Sequence, residues 1–204
     1  MLWGLWMDAD RVRDSIRVAK EHPDWLAMNY DGERKMGGQL DLTNAAAAKR
    51  MEEQIIRVIE DNKLDFFRLD YNTDQGRKIK IVRDGFIENG YWRYYETHYG
   101  IYDRLRQRFP NVIFENCAGG GGRADLGMIG RFDHTDITDW QIAPRSFMIT
   151  NGMTMALPTE YIDRLLGGQS GQITADFDFQ SRLLLFLEPK FGFLYYQSGT
   201  AARQ

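Results

Sequence analysis

Three short apolar runs in this 204-residue chain each carry a carboxylate at or near their end. They are Phe66-Phe67-Arg68-Leu69-Asp70-Tyr71-Asn72, then Phe114-Glu115-Asn116-Cys117-Ala118 ahead of glycines 119 to 122, and finally Asp136-Ile137-Thr138-Asp139-Trp140. Between them the periodicity turns helical. Short β-like runs that alternate with helices need crossover connections, so they specify parallel strands in βαβ units rather than a sandwich. An α/β barrel closes that arrangement on itself and presents functional groups at the C-terminal ends of its strands.

Element by element, Leu2 to Met7 reads as a strand and Asp10 to Glu21 as a helix, with Val12, Ile16 and Ala19 at helical spacing and Pro23 as its stop. Residues 25 to 38 are irregular, and Leu40-Asp41-Leu42 is a short strand. Thr43 or Asn44 caps a helix through Asn62, whose apolar stripe is Met51, Ile55, Ile56, Val58 and Ile59. Asp65 to Asn72 is the next strand, Glu88 to Arg108 a long helix stopped by Pro110, and Val112 to Asn116 a further strand. The aromatics of that long helix fit a core better than a cofactor box. Asp125 to Gly130 is a short helix, Asp133 to Asp139 a strand, and Pro144 the first position of another helical segment. Gly167 to Gly171 reads as a loop and Ile173 to Phe179 as a late strand. No repeat, linker or low-complexity stretch interrupts residues 1 to 204, which read as one domain.

Composition excludes several classes. With 43% hydrophobic and 27% charged residues and a net charge of −3, the chain is an ordinary globular one with no basic surplus for nucleic acid. Leu183 to Leu187, the longest apolar run near the C-terminus, is far too short to span a bilayer, and the N-terminus lacks a basic region before an apolar core. Cys117 is the one cysteine, so an internal disulfide is impossible. A soluble protein is expected, with a cytoplasmic setting favoured and a homo-oligomer compatible. A complete eight-stranded barrel takes about 250 residues. At 204 residues this one is expected to be incomplete at its N-terminus, and less stable than a closed barrel if expressed alone.

These runs and their flanks resemble glycoside hydrolase family 36, the retaining α-galactosidase group. Its members carry a K-W-D-M-N strand, a C-A-S-G-G-G-R-x-D-L-G loop and an S-D-x-x-D strand. The middle motif, here Cys117-Ala118-Gly119-Gly120-Gly121-Gly122-Arg123-Ala124-Asp125-Leu126-Gly127, is the most specific. Trp3-Gly4-Leu5-Trp6-Met7-Asp8-Ala9-Asp10 is similar to the family's G-L-W-F-E-P-E, with aspartates for both glutamates. His22-Pro23-Asp24-Trp25 and Leu40-Asp41-Leu42-Thr43-Asn44 match as well, so the similarity runs from residue 1 to about 165.

Retaining hydrolysis needs an ionised nucleophile and a protonated acid about 5 to 5.5 Å apart. Asp70 suits the nucleophile, because it closes a strand and Arg68, two residues earlier, projects from the same strand face. The resemblance gives it that role. For the acid/base, Asp133, Asp136 and Asp139 compete. Counting without gaps to Gly152 and Pro158-Thr159-Glu160, the counterpart of the family's P-P-E, selects Asp139. Strict alternation along Asp133 to Asp139 would turn Asp136 to the opposite face, where it hydrogen-bonds locally.

By resemblance, Trp6 walls the sugar subsite, Cys117 and Gly120 contact hydroxyls, Asn72 reaches a hydroxyl near the nucleophile, and Arg68 stands where the family has a hydroxyl-binding lysine. The bland alternative for Trp6 and Cys117 is core packing. The family's acidic pair on an earlier strand has no counterpart, and Arg34 does not securely match its substrate-binding arginine. His134 between Asp133 and Asp136 lacks the paired-histidine spacing of catalytic zinc sites, so no metal is expected. His22 and His98 look structural. The glycines lack a following Lys-Ser or Lys-Thr and no dinucleotide fingerprint is present, so no cofactor is expected either.

The reading is an α/β barrel acting as a retaining α-glycosidase on terminal α-galactosides through Asp70 and Asp139. The alternatives are another α-linked sugar, transglycosylation, or a non-catalytic carbohydrate-binding fragment.

Overall fold

The computed structural model describes residues 2–13, 15–28, 38–71, 80–140, 145–165 and 188–190. The chain divides into two compact units, Met1–Phe114 and Glu115–Gln204.

In the first unit, β1 (Gly4–Asp8) and β2 (Phe66–Asp70) pair in parallel, with Gly4 opposite Phe66 and Asp8 opposite Asp70. The crossover between them carries α1 (Arg17–Glu21) and α2 (Ala45–Asn62). Asn44 starts α2 by accepting the Ala46 and Ala47 N–H groups at 2.9 and 3.3 Å, and Lys63 ends it in the left-handed conformation. Met51, Ile55 and Ile59 are its buried stripe, each side chain contributing about 1.5–3 kcal/mol by leaving water.

Expectations for two stretches of this unit need correction. Helical spacing predicts a helix from Asp10, yet only Arg17–Glu21 is helical. Upstream, the backbone bonds to the 38–40 segment instead: Val12 N–H to the Gly38 carbonyl at 3.0 Å and Leu40 N–H to the Asp10 carbonyl at 2.9 Å. Asp10 itself is fully buried and accepts the Tyr94 hydroxyl. Those tertiary bonds outweigh a modest helical preference. The same pairing reduces the strand expected at Leu40-Asp41-Leu42 to isolated bridges, Arg11 with Gln39 and Leu26 with Leu40.

The second correction concerns the stretch before the aromatic helix. An antiparallel hairpin of β3 (Lys80–Arg83) and β4 (Phe86–Asn89) precedes α3 (Tyr91–Arg108), so the helix starts later than Glu88. Asp84 and Gly85 both have positive φ, 52° and 81°, the geometry of the tight hairpin turn that Asp-Gly favours. That dipeptide was the overlooked signal. As expected, one face of the aromatic helix is core: Tyr94, His98 and Tyr102 are buried, and the Tyr102 ring meets Phe114 edge-on at 6.3 Å, whereas Trp92 is exposed. Arg104 and Arg108 tie α3 to Glu52 and Glu60 of α2. Ile113, at the start of β5 (Ile113–Asn116), donates to the Asp65 carbonyl at 2.9 Å.

In the second unit, β5 pairs in parallel with β6 (His134–Asp136), β6 with β7 (Ile162–Leu165), and β7 with β8 (Glu188–Lys190). The connections carry α4 (Leu126–Ile129), capped by Asp125, and α5 (Arg145–Thr154). Ile129, Ile137, Leu157 and Ile162 form the core here, with Ala124, Ile149 and Met153 packed against it.

The strand expected over Asp133 to Asp139 ends at Asp136, because that side chain captures a backbone donor just ahead of it. β7 and β8 were not anticipated. Pro144, the Gly167 to Gly171 loop and the strand over Ile173 to Phe179 lie outside the described residues. Among the described residues, no helix is long and apolar enough to cross a membrane.

Candidate active site

In the first unit, strand register groups four candidate residues. In parallel strands, residues opposite each other project to the same face. Trp6 lies opposite Arg68 and Asp8 opposite Asp70, so these four share one face of the β1–β2 pair. The other face carries Phe67 and Leu69, both fully buried. The apolar alternation of β2 thus anchors the strand and aims Arg68 and Asp70 the opposite way.

Arg68 Nη2 lies 3.8 Å from Asp70 Oδ2, with side chains only 15% and 12% exposed, which realises the expected same-face ion pair. Asp70 Oδ1 accepts the Tyr71 N–H at 2.7 Å, fixing the carboxylate against its own strand end. Trp6 is 61% exposed, so its ring is not core filling. Asp8 is held by Arg11 at 3.3 Å. Asn72 and Arg34 lie outside the described residues.

In the second unit, the glycine loop lies against the turn after β6. Gly120, at φ 78°, has no room for a side chain: a Cβ would sit 2.5 Å from Thr138 Cα and 2.7 Å from Asp139 N. A Cβ on Gly121 would fall 2.7 Å from the Ile137 carbonyl oxygen. The glycines therefore let the loop backbone lie directly against residues 137–139. Cys117 is fully buried, in keeping with the packing alternative, and its thiol approaches Asp136 Oδ2 at 4.0 Å.

Asp139, by contrast, is exposed at the end of the turn. Asp136 and Asp139 are not on opposite faces as alternation predicts, since the two-residue period stops with the strand. Their carboxylate oxygens and Cys117 Sγ lie within 4.8 Å of one another. The local hydrogen bond foreseen for Asp136 is present: its Oδ1 accepts the Thr138 N–H at 3.1 Å.

Glu115, His134 and Asp163, on three adjacent strands, form another grouping within 4.8 Å, and His134 Nδ1 pairs with Asp163 Oδ2. Sequence reasoning set His134 between Asp133 and Asp136; its partner comes from β7, a strand that reasoning missed. The ring nitrogen facing the acids is already engaged with Asp163, which makes this a hydrogen-bonded cluster of polar side chains. His22 stacks on Trp25 at 3.9 Å and His98 on Tyr102 at 5.3 Å, both structural settings.

Parallel strands joined by helical crossovers, with carboxylates at or just beyond strand ends in each unit, define an α/β-barrel protein. A family model described as Melibiase matches residues 1–193, and the chain belongs to that family. It is 29% identical over 196 residues to "Alpha-galactosidase 2" of Pediococcus pentosaceus, covering 91% of this chain and 26% of that protein. The crystal structure of the α-galactosidase from Lactobacillus brevis superposes with a TM-score of 0.79 at 25% identity, over 93% of this chain and 26% of the other. A variant of the family 36 α-galactosidase AgaA from Geobacillus stearothermophilus, in complex with stachyose, has a TM-score of 0.76 at 23% identity, over 86% and 26% of the two chains, and supports the fold. The chain spans about a quarter of the length of these relatives.

Proposed function

We propose that this chain carries the catalytic carboxylates of a retaining α-glycosidase acting on terminal α-galactosides. The observation that carries the reading is Asp70 at the end of β2, ion-paired to Arg68 on the same sheet face, in a chain of the Melibiase family. Asp70 attacks the anomeric carbon while the bond to the leaving oxygen breaks, and Asp139 gives that oxygen its proton. Asp139 then takes a proton from water, the water oxygen attacks the same carbon, and Asp70 is released with configuration retained. Trp6 offers an exposed ring to the sugar face, and the Gly120 and Cys117 loop offers backbone close to the reacting end.

Arg68, forked and planar where the family has lysine, can donate to two neighbouring hydroxyls at once, so the sugar preference is set there. Raffinose and stachyose, bound by variants of the Geobacillus enzyme, indicate the substrate class.

The test is an aryl α-glycoside panel on the full-length gene product, with the anomer first released followed by NMR. Asp70→Asn should abolish turnover because no covalent intermediate can form. Asp139→Ala should lose about 10²–10⁴-fold on alkyl glycosides and far less on activated aryl ones. Inversion, or substantial turnover by Asp70→Asn, defeats the reading; binding without turnover in the wild type points to a carbohydrate-binding fragment instead.

A further inference from the structure

We propose that Asp136 is a positioning residue for Asp139, holding the turn that presents it and, through its buried negative charge, keeping the neighbouring carboxyl protonated for its role as acid. This rests on the assignment of Asp139 as acid/base. Asp136 is fully buried at the last residue of β6, and its Oδ1 binds the Thr138 N–H, one residue before Asp139. Gly120 and Gly121 pack against the same turn, so the Ile137-Thr138-Asp139 backbone is held by both a carboxylate and a glycine surface. The consequence for Asp139 is electrostatic. Two carboxylates within 4.8 Å resist ionising together, and the proton is shared until higher pH than either would keep alone. Burial opposes a charge on Asp136, and its two donors, Thr138 N–H at 3.1 Å and the Cys117 thiol at 4.0 Å, work against that penalty; the proposal is that they make Asp136 the ionised member of the pair.

Other titratable or charged groups lie on the elements beside Asp136. Glu115 comes from β5 and Cys117 directly follows that strand, His134 precedes Asp136 on the same face of β6, Asp163 lies opposite it on β7, and Arg123 follows the glycine loop and is buried. His134 and Asp163 pair with each other. The acids Glu115 and Asp163 oppose a charge on Asp136 and the Arg123 cation favours it.

Asp136→Asn keeps the shape and the acceptor for Thr138 N–H but removes the charge. In the full-length gene product, the alkaline limb of kcat/KM on alkyl α-glycosides should move down by about one pH unit or more. On activated aryl glycosides, which need no proton, the limb should stay. Asp136→Ala should also lose the turn and fall further, mainly in kcat. A folded Asp136→Asn enzyme with an unmoved alkaline limb overturns this inference while leaving the Asp139 assignment intact. Loss of the leaving-group dependence of Asp139→Ala overturns the assignment itself, and absent wild-type turnover overturns both. Should Asp136→Asn not fold, carbon-13 NMR of aspartate carboxyls in the wild type decides the matter: the signal lost in Asp139→Asn should titrate in two steps, and a single ordinary carboxylate step refutes coupling.

Discussion

Gly120→Ala separates loop support from substrate binding, and its size can be worked from the geometry. At φ 78° an L side chain costs about 1–2 kcal/mol. Its Cβ would also lie 2.5 Å from Thr138 Cα, and reaching ordinary contact at 3.4 Å needs the two backbones to part by about 0.9 Å. Neither neighbour is a flexible side-chain end, so the shift must be taken by the segment that carries Asp139. A misplacement of about 1 Å at a reacting group costs about 10²-fold in rate. The loss should fall on reactions that need Asp139 as acid: about 10²-fold in kcat/KM on alkyl α-galactosides, and only several-fold on activated aryl ones. Chemical denaturation should report a loss of about 1–3 kcal/mol, with the fold retained. Wild-type rates in a folded Gly120→Ala, or equal losses on both substrate classes, would refute the view that this glycine seats the acid.

Three further outcomes are expected. Gly152→Ala, on an exposed stretch of α5 with nothing within 4 Å of the added methyl, should raise stability by about 0.4–1 kcal/mol without changing activity, as a thermal melt and a rate assay will show. Tyr94→Phe removes the hydroxyl that donates to fully buried Asp10 and should cost about 1–3 kcal/mol in denaturant titration; a neutral result means that the carboxylate is satisfied elsewhere. Arg68→Lys keeps a cation beside Asp70 but loses the fork, so turnover should survive while the kcat/KM ratio between α-galactosides and other aryl α-glycosides shifts by about tenfold or more; an unchanged ratio removes Arg68 from sugar selection.

What was legible in the sequence followed periodicity. α2 is found with its Asn44 cap and with Met51, Ile55 and Ile59 of the expected stripe buried, Ile56 and Val58 being half-buried, because one 18-residue helix obeys one rule throughout. β2 is found with Arg68 and Asp70 on one face because Phe67 and Leu69 fill the other. What failed depended on partners distant in the chain. Asp10 to Ile16 has helical spacing, but Tyr94, more than eighty residues away, claims Asp10, and Gly38 claims the Val12 N–H. His134 was weighed with its chain neighbours, and Asp163 on β7 is the group it meets. The hairpin was a different kind of miss, since Asp84-Gly85 between apolar residues stated it locally.

The failure at Asp136 has a more general physical root. Period-two reasoning assumes that the backbone stays extended, which holds while each N–H is bonded to a neighbouring strand. Aspartate at a strand's C-terminal end can take such a donor for itself, and Asp136 does so with the Thr138 N–H; Thr138 repeats the move with the Trp140 N–H at 2.9 Å. The strand therefore ends because of the residue type that chemistry at a barrel mouth calls for. Asp70 shows the milder form, bonding only the next N–H, and its strand keeps its register with β1 to the last residue. At the ends of barrel strands, then, alternation should be trusted up to the first carboxylate and replaced beyond it by the turn that this carboxylate makes. Applied here, that rule moves Asp136 from a bystander on the far face to a buried anchor beside Asp139.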